Sequence, residues 1–135
     1  CTVTGNEIHD NGAGVMIEGG YRLPWSTSYG NVITRNNISG SSHLGLYLED
    51  SRENQITENN FINQDNMYFH FFIKMDDPNP SKPLYNDINR NYWSDWSSSE
   101  PKPIEGEVEI AIWLFILDFP WYMYDENPAD EPYDW

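Results

Sequence analysis

The chain is built of short runs in which apolar and polar residues alternate. The apolar residues of each run are two positions apart, which is the spacing of a strand with one buried face. The clearest runs pair Val15 with Ile17, Leu46 with Leu48, and Phe71 with Ile73. Glycine and asparagine, which favour turns, lie between the runs, and no run has helical spacing. The pattern predicts an all-β chain of short strands.

An internal repeat organises these strands. In each copy an apolar residue is followed three positions later by asparagine, and two positions after that by a large apolar residue. Residues 31–39 (NVITRNNIS) and 54–62 (NQITENNFI) are the clearest copies, and more divergent copies lie at 2–8 and 86–93. The recurring asparagines are Asn6, Asn36, Asn59 and Asn91. Ile56 follows Ile33 after 23 residues (33 to 56), and such a period is typical of a solenoid.

One repeat is too short to enclose a core, so each copy must bury its apolar column against its neighbours. We predict a parallel β-helix of about four coils over residues 1–96, followed by a C-terminal capping segment and an acidic, aromatic tail over 97–135. The run 107–116 alternates as a strand, although a helix is the alternative for so short a run, and it is expected to cover the open end of the solenoid.

Composition narrows the range of partners. The formal net charge is −15, with 22 acidic and 7 basic residues, which argues against binding to nucleic acid phosphates or anionic membranes. No apolar run is long enough to span a bilayer. The single cysteine excludes an intrachain disulfide and a cysteine metal cluster. The charge and the sequon at Asn37 favour an extracellular or cell-surface location, with the periplasm as an alternative.

The chain opens inside a coil, at Cys1, without a start methionine. We therefore expect a mature product or the C-terminal part of a longer protein. An exposed coil edge has unpaired backbone groups. The N-terminal edge is accordingly predicted to pair with further coils or with another subunit.

These motifs resemble those of a known family. The phrase N-x-I-T-x-N at 31–36 and 54–59, the G-[VL]-x-[IL] strands and the terminal run 91–96 (NYWSDW) resemble the right-handed parallel β-helix repeats of the NosD-like group, over residues 1–96. The group is abundant among secreted and surface proteins of archaea and bacteria. The resemblance implies the fold but leaves carbohydrate-active enzymes, surface adhesins and periplasmic copper-associated proteins open. It also implies that Asn6, Asn36, Asn59 and Asn91 stack as an amide ladder at a tight corner.

Carboxylates at equivalent positions are the candidates for catalysis. Glu18 and Glu49 each follow a buried strand, one coil apart. Adjacent coils are about 4.8 Å apart, so such a pair would raise one pKa and would suit a retaining glycosidase, whose carboxyls are about 5 Å apart. A solvated charge ladder is the alternative. Asp50, Asp76 and Asp77 lie near the same edge and are candidate calcium ligands, with a solvated acidic loop as the alternative.

Aromatic residues are the candidates for ligand binding. Two insertions, about 19–30 and 75–84, leave the coil after the same strand, and insertions that share a face often form the binding face. Tyr21 and Trp25 in the first insertion, and Tyr47 in a strand, are predicted to bind a glycan or a protein, because flat amphipathic rings suit both. The candidate copper ligands are Met67, His70 and Met75, with His43 and Met16 on neighbouring coils, although a surface histidine and core methionines are the alternative.

Together these features predict a non-catalytic, structural or adhesive β-helix module on the cell surface or outside the cell, which binds a glycan or a protein partner. A fragment of a carbohydrate-active hydrolase or lyase is the first alternative, although so short a solenoid offers a small groove. A metal-associated periplasmic protein is the second. No cofactor is firmly indicated by the sequence, and calcium is the candidate that the acidic residues favour.

Overall fold

The computed structural model describes residues 1–19, 28–62, 67–74, 85–112 and 114–134, with the backbone alone for 73, 74 and 112. Strands and turns make up these ranges, and none of the described residues is helical. The strands are β1 (Thr2–Thr4), β2 (Glu7–His9), β3 (Ala13–Glu18), β4 (Ser28–Tyr29), β5 (Val32–Thr34), β6 (Asn37–Ser39), β7 (Leu44–Glu49), β8 (Ser51–Arg52), β9 (Gln55–Thr57), β10 (Asn60–Ile62), β11 (Met67–Lys74), β12 (Asp87–Asn89), β13 (Tyr92–Trp93), β14 (Lys102–Ile112) and β15 (Phe115–Asp125).

The strands stack into sheets that run along the molecule. Sheet A has the order β1-β5-β9-β12, sheet B β2-β6-β10-β13, and sheet C β3-β7-β11-β14-β15, while β4 and β8 form the small sheet D. Pairing is parallel everywhere except between β14 and β15. Each coil contributes one strand to each main sheet, which confirms the predicted all-β parallel β-helix.

The apolar residues of the repeat form continuous columns. In sheet A, Ile33 lies in register with Ile56, and in sheet B Ile38 lies in register with Phe61. Phe61 in turn lies in register with Trp93, and their rings stack with centroids 4.4 Å apart. All of these residues are buried. Burying each large apolar side chain contributes about 1.5–3 kcal/mol, so the stack of coils supplies the core that one coil lacks.

The corner between sheets A and B requires a left-handed backbone. Arg35, Glu58 and Arg90 occupy this position with φ between 56° and 57°, and Gly5 has φ 67° at the equivalent place in the first coil. The side chains stack as an ion-paired row, because both arginines contact Glu58, at 3.2 Å from Arg35 Nε and 2.9 Å from Arg90 Nη2. Exposed pairs of this kind contribute little to stability, so the buried groups must fix the corner.

Asparagine amides at this corner form a chain of hydrogen bonds. Each Nδ2 donates to the Oδ1 of the next coil, at 2.9 Å from Asn6 to Asn36, 3.0 Å from Asn36 to Asn59 and 3.0 Å from Asn59 to Asn91. A second chain runs from Asn31 to Asn54 at 2.9 Å and from Asn54 to Asn86 at 2.8 Å. These amides satisfy buried polar groups from coil to coil.

The C-terminal part is a long hairpin. β14 extends sheet C in parallel with β11, and β15 then pairs with β14 in antiparallel register from Lys102 and Asp125 to Ile112 and Phe115. The tail returns to the coils, where Ala129 bridges Tyr92 and the Asn60 side chain hydrogen-bonds the backbone of Tyr133. The predicted capping segment therefore supplies both a strand of the stack and its antiparallel edge.

Candidate functional site

The outer side of sheet C carries the candidate site. The alternate residues Leu46, Leu48, Phe69, Phe71 and Val108 are buried in the core, so the residues between them point away from it. We call this surface the outer face of sheet C. Its members are Met16, Glu18, Tyr47, Glu49, Tyr68, His70, Glu105, Glu107, Glu109, Asp118 and Tyr122.

One row of this face is aromatic. Tyr47 lies in register with Met16 on one side and with Tyr68 on the other. The two tyrosine rings are nearly parallel, with centroids 6.3 Å apart and an interplanar angle of 7°. Tyr122 of β15 lies opposite Glu105 near the other end of the face. The row presents flat amphipathic side chains, half-buried at Tyr47 and Tyr68, next to polar groups.

The neighbouring row is acidic around a histidine. Glu18 is in register with Glu49, Glu49 with His70, and His70 with Glu107. Carboxylates also flank the His70 ring: Nε2 is 3.4 Å from Glu109 Oε1 and Nδ1 is 3.9 Å from Glu49 Oε1. The imidazole side chain is 14% exposed. Since carboxylates outnumber His70 among the described side chains of this face, these side chains create a negative potential.

The electrostatics follow from burial and from like charges. Burial raises the pKa of the Glu49 carboxyl, and the nearby Asp50 and Glu18 carboxylates raise it further, against the opposing effect of His70. Burial also raises the pKa of Asp50, although its Oδ1 accepts a hydrogen bond from the Phe72 amide at 2.6 Å. Burial, followed by the Glu49 charge, raises the pKa of Tyr47 to about 12. Tyr47 is therefore a neutral hydroxyl at ordinary pH.

Three carboxylates converge at the edge of the face. Glu107, Glu109 and Asp118 each offer an oxygen, and these oxygens lie within 4.8 Å of one another. Glu109 Oε2 is buried without a hydrogen-bond partner among the described residues. An oxygen-rich group of this kind suits a hard cation such as calcium, and these are the residues that are arranged to hold one.

The structure brings together some of the residues predicted from the sequence. Glu18 and Glu49 lie opposite each other, Glu18 exposed and Glu49 half-buried, and Tyr47 lies beside them. Asp50 is next to this pair and bonds to the backbone of β11. Tyr21, Trp25, Asp76 and Asp77 lie outside the described residues.

Met67 and His70, the two copper candidates in β11, are separated, and Met75 lies outside the described residues. Met67 is buried in the core, whereas His70 lies on the outer face among carboxylates. Their spacing of three residues in a strand places them on opposite sides of sheet C. The described residues of β11 therefore offer no joint His–Met ligand set.

The sequence did not predict several residues of this face. The sequence predicts that Glu107 and Glu109 belong to the capping segment and Asp118 to the tail, because neither segment contains the repeat phrase. The alternation of Glu105, Glu107 and Glu109 was the available signal, since it marks one face of a strand. Only the register of β14 with β11 places these carboxylates beside His70.

Comparison with known proteins agrees with the architecture. A family model described as a right-handed beta helix region matches residues 1–100. No curated protein and no solved structure matches the chain. Across the ranges that the structure describes, no helix has the length and apolar character needed to cross a membrane.

Proposed function

The chain belongs to the right-handed β-helix family, and from this premise we propose that it is a non-catalytic, carbohydrate-binding module whose binding surface is the outer face of sheet C. The observation that carries the proposal is the parallel pair of Tyr47 and Tyr68 rings beside a row of carboxylates. Rings of this kind pack against the C–H groups of a sugar, and adjacent polar groups fix its orientation.

The polar row supplies hydrogen bonds to hydroxyl groups. Carboxylate oxygens of Glu49 and Glu107 are acceptors, and a hydrogen bond to a charged acceptor is about twice as strong as one between neutral groups. The Tyr68 hydroxyl lies 3.5 Å from Glu107 Oε2, so it is held near the acidic row. Sugar hydroxyls are donors that match this arrangement.

Charge restricts the type of glycan. Glu18, Glu49 and Glu107 share one row with a single histidine, so uronate or sulfated chains would meet like charge. The ligand class is therefore a neutral or amino-bearing glycan. The repeat phrases and the NYWSDW run support membership of the NosD-like group, whose secreted members support an extracellular or cell-surface location.

A second candidate is glycoside hydrolysis, which the state of Glu49 favours. A carboxyl with a raised pKa beside a second carboxylate is the arrangement of an acid and its partner base or nucleophile. Against this candidate, Glu18 is exposed to solvent, and water weakens the electrostatic effects on which catalysis depends.

A glycan array tests the proposal. The wild-type chain should retain neutral or amino-bearing glycans and fail to retain uronate and sulfated ones. Tyr47→Ala should weaken binding by about tenfold or more; for comparison, stacking of a nucleic-acid base on an aromatic side chain is worth about 1–3 kcal/mol by alanine substitution. Tyr85→Ala is the control, because Tyr85 is an exposed tyrosine that lies on no strand of sheet C.

Three results would contradict the proposal. One is absence of binding to every glycan on the array, and a second is equal loss of binding in Tyr47→Ala and Tyr85→Ala. The third is release of reducing ends from a bound glycan, abolished by Glu49→Gln, which would establish the hydrolase instead.

A further inference from the structure

Strand β15 and Leu114, which precedes it, present a run of large apolar side chains to solvent. Leu114 is 96% exposed and Phe115 is 72% exposed, and the other members of the run are each a little less than half exposed. The remaining members of this apolar run are Ile116, Leu117, Phe119 and Trp121. Monomeric proteins rarely expose a contiguous apolar patch of this kind without a role for it.

The arrangement of the described strands explains why none of them covers these side chains. Met123 of β15 is buried against the coils, and Trp121, Phe119, Leu117 and Phe115 follow on the same side at intervals of two. Sheets A and B end with β12 and β13, whereas sheet C continues through β14 to β15. Among the described strands, none of sheet A or B therefore lies opposite the first half of β15.

The backbone of β15 is also open on one side. β15 ends the order of sheet C, with β14 as its neighbour among the strands that the structure describes. Pro120 in its middle is consistent with an edge, because proline is confined to edge strands in sheets. An edge that is long, flat and apolar is a template for pairing with another strand.

We propose that β15 is a self-association surface, on which two copies of the chain pair their β15 strands in antiparallel orientation about a two-fold axis. Such a contact uses the same patch on both copies and closes at two. It pairs the open backbone of residues 115–119 and joins the two C sheets. It also places the apolar side chains of the two copies next to each other on each face of the joined sheet.

Charge and area both favour a second copy. The chain carries a net charge of −15, yet residues 110–117 contain no charged side chain and Asp118 is the one charged residue of the paired segment 115–119, so two copies meet there with little repulsion. Aromatic side chains bury ~150–250 Å² each, so the exposed parts of the apolar run amount to ~600 Å² per copy. This area approaches the ~800 Å² per partner of a standard interface.

A lipid surface is the competing occupant, and two features disfavour it. Open backbone groups of an edge strand have no partners in hydrocarbon, whereas a second β15 satisfies them. The acidic chain is also repelled by anionic headgroups. Vesicles therefore form a separate arm of the test.

Sedimentation equilibrium over a hundredfold range of concentration tests the proposal. The wild-type chain is expected to reach the mass of a dimer. Phe115→Lys should raise the dimer dissociation constant at least about tenfold, because it places a charge in the apolar contact. Tyr85→Lys is the matched control, since Tyr85 is 69% exposed, carries a similar ring and lies outside β15. Urea unfolding of each variant verifies that the fold is retained.

Three outcomes would overturn the proposal. The first is a wild-type chain that is monomeric at the highest concentration. The second is a dimer that both Phe115→Lys and Phe119→Lys leave intact. The third is a monomer that sediments with phosphatidylcholine vesicles and loses this ability in Phe115→Lys, which would assign β15 to a lipid surface.

Discussion

Replacement of Asp125 by asparagine probes how the stack of coils is closed. The Asp125 side chain is fully buried. Its Oδ2 accepts hydrogen bonds from the Asn91 amide at 2.9 Å, from Asn91 Nδ2 at 3.0 Å and from Trp93 Nε1 at 2.9 Å. Its Oδ1 accepts from the backbone amides of Arg90 at 3.1 Å and Asn127 at 3.2 Å. Each asparagine of the ladder donates to the next coil, and Asn91 is the last of them. Asn91 therefore needs an acceptor beyond the ladder, and the Asp125 carboxylate is that acceptor.

Asparagine at this position keeps one oxygen but brings an NH2 group. If the oxygen stays with Asn91 and Trp93, the NH2 group faces the amides of Arg90 and Asn127, which are donors themselves. Each buried donor left without an acceptor costs about 1–3 kcal/mol. Since Asn127 is exposed and regains water, we expect Asp125→Asn to lower the free energy of unfolding by about 2–4 kcal/mol. Asp125→Ala removes both acceptors and should cost more.

Urea unfolding, followed by tryptophan fluorescence, measures this difference, and the buried Trp93 is a direct reporter. Asp130→Asn is the matched control, because Asp130 is exposed and the exchange changes the net charge by the same amount. A free energy of unfolding for Asp125→Asn within about 0.5 kcal/mol of that control, the range of an ordinary surface substitution, would refute the reasoning.

Three further predictions concern the ladder, the core and the acidic row. Asn59→Ala should lower the free energy of unfolding by about 2–4 kcal/mol, because it strands buried partners on both neighbouring coils, whereas Asn127→Ala should have little effect. Gly106→Ala should cost about 1–3 kcal/mol in chemical denaturation, since the Phe69 ring fills the space that a Cβ would need. Because the pKa of Glu49 is raised in the folded state, the folded chain keeps this proton to higher pH than the unfolded chain does. The contribution of Glu49 to the free energy of unfolding therefore falls as pH rises above the ordinary carboxyl pKa of 4.5, and it levels off above the folded pKa. Glu49→Gln should therefore be more stable than wild type near neutral pH, and its stability should fall less as pH rises. In thermal melts, the exposed control Glu53→Gln should show the same pH dependence as wild type.

The repeat was the part of the fold that could be predicted from sequence. Ile33, Ile56 and Ile88 recur at the same place in their phrases, and a solenoid turns equal positions into columns. The same logic aligned Glu18 with Glu49. Register therefore followed from sequence wherever the phrase was intact.

Beyond residue 93 the phrase stops, and the alternation at 107–116 predicts a strand but not its register. β14 joins sheet C although its sequence matches no earlier strand, since a ladder of backbone hydrogen bonds does not depend on the phrase. The position of Asp118 beside Glu109 depends on where the hairpin turns. Asp125 is a further example, because a carboxylate that ends an asparagine ladder has no equivalent among the earlier coils.

The second asparagine chain was within reach of sequence reasoning. Asn31, Asn54 and Asn86 are the first residues of three repeat phrases. The first coil has Cys1 in the corresponding place, so the series is one copy shorter than that of Asn6, Asn36, Asn59 and Asn91. A shorter series gave a weaker signal, and the hydrogen bonds reveal it.

The most direct test of the central claim is calorimetric titration of the best glycan from the array into the wild-type chain and Tyr68→Ala. Tyr68 stacks with Tyr47 on the outer face of sheet C, whereas Tyr29, the site of the control Tyr29→Ala, lies in β4 of sheet D. The account predicts saturable binding to the wild type and to Tyr29→Ala, with affinity for Tyr68→Ala reduced about tenfold or more. Equal affinity in all three chains would contradict it, because the glycan would then bind elsewhere.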